Sequence, residues 1–130
     1  MSLDISSELL QQAQAGQVSE SAFVESIRRS LPYAFEIVEG LVEQVIRGEA
    51  EWAEHSVSPP TETDRAQLLR LMGGDAIRGA VERYFGMRLA FQNCHRTAVF
   101  RPEAIGSPAY QEFVSIQSQI LNQTPELRDC

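Results

Sequence analysis

Lysine is absent: all eleven basic residues of the chain are arginine. Histidine and cysteine occur twice each, and tryptophan once. Each scarcity excludes something. Without lysine, MGGDAIRG (72–79) cannot be a phosphate loop, which needs that cation and a preceding strand as well as its glycines. Two cysteines, Cys94 and Cys130, define no disulfide framework, and a reducing compartment would hold both as free thiols. Two histidines leave little for a metal site. No apolar run approaches the roughly 20 residues that cross a bilayer. The opening MSLDISSELLQQAQ has neither a basic n-region nor an h-region, so no signal peptide is expected. Internal repeats and low-complexity tracts are missing too. These absences point to a cytoplasmic location away from the membrane.

What is present fits one compact domain over 1–130, with 43% apolar and 22% charged residues. A chain of this length buries enough surface to hold a core without metal or disulfide. Net charge is −7 and is unevenly placed. Residues 1–64 carry three arginines against twelve acids. Residues 65–101 carry seven arginines against Asp75 and Glu82. The structural reading folds the basic middle onto the acidic first half, within the chain or across a symmetric dimer. The functional reading offers those arginines to an anionic ligand, but helical spacing scatters them around their helices. The structural reading is preferred. Nucleic acid is disfavoured by the overall charge.

The expected class is mainly α, a compact bundle of five to six helices with a short β-hairpin at 87–101. Asp4 or Ser6 caps a first helix ended by Gly16, and Ser19 starts a second carrying Phe23, Ile27 and Leu31. Pro32 opens the longest helix. Its apolar stripe of Ala34, Ile37, Val38, Leu41, Val42, Val45 and Ile46 is wide enough to meet several neighbours. That helix runs out between Arg47 and His55, and SVSPP (56–60) is a loop. A fourth helix, capped by Thr61 or Thr63, places Leu68, Leu69, Leu71 and Met72 inside. It breaks at Gly73-Gly74, where two glycines cost roughly 1 kcal/mol each against alanine. Asp75 caps the next, which Gly86 closes. In MRLAF and RTAVF the apolar period changes from 3.6 to two, on either side of a four-residue loop, QNCH. Ser107-Pro108 starts a last helix carrying Tyr110, Phe113, Val114, Ile116, Ile120 and Leu121, and the tail from about 124 is frayed.

The chemistry-bearing residues gather in few places. FQNCHR (91–96) forms the hairpin turn. Cys94 would need a base to act as a nucleophile, and His95, its neighbour along a strand, should point to the opposite face. EAEWAEH (49–55) puts Glu51 and His55 at i,i+4 on a helix end, half of a metal site at best. Trp52 is a lid over the core or an interface anchor. Arg88, Asn93, Cys94, His95, Arg96, Trp52 and His55 are therefore the candidate ligand- or partner-binding residues. No catalytic residue, cofactor or metal is expected. The broad stripe, the opposed charges and the small hairpin together suggest a non-enzymatic protein. It would act by association, with itself as a dimer and with a further protein. The alternative is a small enzyme or ligand-binding accessory protein whose helix-lined pocket uses Cys94, His95 and His55.

Overall fold

The computed structural model describes residues 2–122. Cap chemistry sets most helix starts. Ser6 accepts from the Leu9 N–H to begin α1 (Ser7–Gln14), and Ser19 accepts from Ala22 to begin α2 (Glu20–Ser30). α3 (Pro32–Arg47) starts on proline and has no side-chain cap of its own. Thr61 caps α4 (Glu62–Gly73), which ends at the glycine pair. α5 (Asp75–Phe85) follows at once, its N-cap being Gly74 and not Asp75, and left-handed Gly86 closes it. Asp75 instead sits in the first turn, where its charge favours the helix dipole.

The hairpin forms where the period changes, as β2 (Arg88–Gln92) and β3 (Arg96–Phe100). Gln92 pairs with Arg96, so the loop is the three residues 93–95 and not four. Asn93 adopts φ 61°, a left-handed turn that asparagine tolerates. Residues 52–55 depart from expectation. They form a strand, β1 (Trp52–His55), and pair antiparallel with β3 to give the sheet order β1-β3-β2. Glu51 and His55 thus share no helical face. Four residues carry too short a period to announce a strand; only the distant partner Thr97–Phe100 specifies it.

Beyond the sheet, a 3₁₀ turn (Pro102–Ala104) leads to α6 (Pro108–Phe113) and α7 (Ile116–Leu121). The single last helix expected to start at Ser107-Pro108 and carry Tyr110 to Leu121 is interrupted because Ser115 caps a new start by accepting from Ser118 N–H. The fold is mainly α, with seven helices and a three-stranded antiparallel sheet among the described residues. The expected tail from 124 lies outside them.

Alternation divides the sheet between two cores. Leu89, Val99 and Ala53 join the main core with Val24, Ile27, Phe35, Val38, Leu41, Leu68, Leu71 and Val81. Ala90, Ala98, Phe100 and Trp52 face the other way, onto Ala104, Tyr110 and Phe113. Burial on both faces leaves the hairpin supported where a lone one would be marginal. α3 packs against α2, α4, β1 and β3, so the wide stripe is used inside the molecule. Two stripe assignments fail: Ile46 and Leu69 are exposed.

Candidate functional site at the hairpin loop

Cys94 and His95 are both buried at the tip of the hairpin. Their side chains meet, with Cys94 Sγ 3.5 Å from His95 Nδ1. The expectation that they point apart fails because residues 93–95 are a turn, to which strand alternation does not apply. Cys94 is disulfide-bonded, so the free thiol expected there is replaced by a sulfur without a proton. Cys130, expected as the other thiol, lies outside the described residues. His95 Nε2 lies 3.1 Å from the carbonyl oxygen of Ser56. A carbonyl only accepts, so Nε2 holds the proton and donates it, fixing the ring against the 56–60 loop.

β1 brings His55 to the same place. His55 is opposite Thr97 across the ladder, and Thr97 Oγ1 donates to the His95 carbonyl at 3.3 Å. Among the described residues, His55 Nε2 is buried and has no hydrogen-bond partner. Burial, and secondarily the charge of His95, hold the His55 imidazole below its ordinary pKa of 6.5. A depressed histidine pKa means the unfolded chain binds the proton more readily than the folded one. The contribution of neutral His55 is therefore complete above the unfolded value and is lost as pH falls below it. Thermal midpoints should accordingly drop between pH 7 and pH 5, and His55→Leu should flatten that drop. An unchanged slope in the variant would assign the effect elsewhere.

The remaining candidates are structural. Arg96 Nε donates to Glu54 at 2.7 Å, its Nη1 to Gln92 at 2.7 Å, and its guanidinium lies 4.7 Å from the centre of the Phe113 ring. Arg88 pairs with Glu82 at 3.4 Å, while the same carboxylate accepts from Leu89 N–H. Asn93 is fastened to α7: its Oδ1 accepts from Gln119 Nε2 at 2.7 Å and its Nδ2 donates to the Asn122 carbonyl. Trp52 stacks on Phe100, 5.2 Å between centres and 3° between planes, and so lids the smaller core. The structure thus brings Cys94, His95 and His55 to one end of the sheet. Arg88 and Trp52 serve elsewhere.

The charge halves do meet. Arg83 reaches Glu20 at 2.8 Å and Arg96 reaches Glu54, joining the basic middle to the acidic first half. Arg65 and Arg78 pair locally with Glu62 and Asp75. Such exposed pairs contribute at most about 1 kcal/mol each. Arg78 also donates to the Met72 carbonyl, closing off the glycine turn.

Sequence reading missed two polar residues that hold the frame. Gln67 Oε1 accepts from Tyr33 N–H at 2.7 Å and Ala34 N–H at 3.2 Å, supplying the cap that α3 lacks. Its only signal was a polar residue four positions before Leu71, on the inner face of its helix. Arg101 donates to the carbonyls of Ala50 and Val45, satisfying the other end of α3. For metal, no group of three or more His, Cys, Asp or Glu stands together among the described residues.

A family model described as NucS shadow ORF matches residues 1–130. No curated protein and no solved structure matches the chain.

Proposed function

The chain belongs to the NucS shadow ORF family, and we propose its function from geometry. It is a non-enzymatic helical protein that acts by associating, with itself as a homodimer and with a further protein. The supporting observation is not the stripe of α3, which is internal, but apolar surface left at two other places. One is a groove on α1 and the start of α2; the other is the outer side of α7. Ile116 is 80% exposed, Leu121 69% and Ile120 64%. Contiguous apolar surface of this kind marks protein contacts more often than chance solvent exposure of single residues.

Three further considerations frame the reading. No helix among the described residues is long and apolar enough to cross a membrane. Many of the central arginines are engaged with acids or carbonyls, which leaves little cationic surface for nucleic acid. A cytoplasmic location is proposed on composition; the disulfide at Cys94 must then withstand a reducing pool. The enzymatic alternative loses its nucleophile to that same disulfide. Size-exclusion chromatography with light scattering should give twice the 14.5 kDa chain mass at micromolar concentration. A strict monomer across the micromolar range removes the self-association reading.

A further inference from the structure

Two imidazoles and a sulfur meet at one end of the sheet, and their contacts assign the protons. Cys94 is only 4% exposed and His95 6%. His95 Nε2 carries the hydrogen that it donates to the Ser56 carbonyl. Nδ1 is therefore the bare nitrogen, and it faces Cys94 Sγ at 3.5 Å. A disulfide sulfur has no hydrogen to give. Among the described residues Nδ1 meets no other polar atom, so a buried acceptor looks onto an atom that cannot donate to it. Reduction supplies the missing hydrogen: a Cys94 thiol donates to Nδ1, or passes its proton there and leaves a thiolate beside an imidazolium.

The pair is held from three sides without help from the disulfide. Thr97 Oγ1 donates to the His95 carbonyl, Ser56 fixes the ring, and Asn93 is bound to Gln119 and Asn122 at α7. Sulfur and imidazole thus stay opposed when the S–S bond opens. His55, the second imidazole, is held neutral by burial and by His95, which directs a proton released at the sulfur to His95. The adjoining charged groups on β3 and β1, Arg96 and Glu54, neutralise each other at 2.7 Å.

We propose that the Cys94 disulfide is a thiol–disulfide exchange site for low-molecular-weight thiols, with Cys94 as the leaving sulfur and His95 Nδ1 as the group that takes up the proton. Because Cys94 is enclosed, the incoming thiol attacks the sulfur bonded to it. The attacking thiol's proton goes to Nδ1, the S–S bond breaks, and its electron pair goes to Cys94 Sγ. A second thiol then attacks the mixed disulfide and releases the other cysteine. Two small thiols are oxidised to one disulfide, and the protein disulfide is reduced to two thiols. A stabilised thiolate leaves faster and raises the reduction potential. Whether the bond withstands a reducing pool then depends on the poise of that pool. None of this depends on the self-association proposed above.

His95→Gln provides the test, because its amide can keep the donor to Ser56 while removing the nitrogen that faces sulfur. The oxidised full chain is equilibrated in graded mixtures of reduced and oxidised glutathione, and its thiols are counted by mass after acid quench and alkylation. The wild-type bond should open within that range. In His95→Gln the midpoint should need an about tenfold more reducing mixture, equivalent to about 30 mV. Mere loosening of the fold would shift it the opposite way, since a less stable fold holds its disulfide less tightly. Cys130→Ser removes the only other cysteine and leaves Cys94 as a single thiol. Its thiolate absorbance should appear about one pH unit lower than in Cys130→Ser combined with His95→Gln. A wild-type bond that stays closed throughout, a His95→Gln midpoint unchanged or shifted toward easier reduction, or coincident thiolate titrations each overturn the proposal.

Discussion

Phe100→Ala should remove about 3–5 kcal/mol of stability, among the largest losses any single truncation in this chain can cause. Phe100 is wholly buried at the centre of the smaller core. Trp52 lies parallel on one face of its ring, Tyr110 meets it edge-on at 5.1 Å, and Phe113 does so at 6.0 Å. Ala90 and Ala98, its neighbours on that face of the sheet, are too small to close the hole left behind. Cavity formation therefore adds to the lost transfer energy instead of being relaxed away. For a domain of this size the thermal midpoint should fall by about 10–20 °C. Trp52, the only tryptophan, should report the opening by a red-shifted emission at temperatures where the chain remains folded. A loss below about 1 kcal/mol would mean that α6 and the 3₁₀ turn collapse into the space.

Gln67→Met should cost about 2–4 kcal/mol although it nearly preserves volume and adds apolar character. The reason is at the other end of the interaction. Pro32 begins α3 without a side-chain cap, and among the described residues the amides of Tyr33 and Ala34 find their acceptor in Gln67 Oε1. With methionine there, two buried or partly buried donors lose their partner, at about 1–3 kcal/mol each. Urea unfolding measures it directly, since the midpoint should drop while the slope stays that of the wild type. A near-neutral result would show that solvent reaches the start of α3.

What could be read from the residues, and what could not, follows from the range of the interactions involved. Helix starts at Ser6, Ser19 and Thr61 were legible because a cap is a local bond between residues three apart. The hairpin was legible because its alternation runs on both sides of a short loop. β1 was not: WAEH has no meaning as a strand until β3 arrives from about 45 residues further on. Gln67 was opaque for the same reason, its acceptor role being defined by amides 33 and 34 positions earlier. At the candidate site, the sequence pointed to Cys94, His95 and His55 as a possible cluster, and the sheet does gather them. Their chemistry was misjudged, since neither the turn geometry nor the bonded state of Cys94 is written in local pattern.

The loop at 56–60 looks like a place to divide the chain, and topology forbids it. Cut there, the first piece would keep β1 without the strand that satisfies its backbone, and α3 without α4 over Leu41 and Val45. The second piece would keep β3 with one edge bare and α4 with Gln67 facing no helix start. A ribosome that has released residues 1–60 has thus released nothing able to fold by itself, and the nascent half must wait, greasy side outward, until Phe100 has emerged.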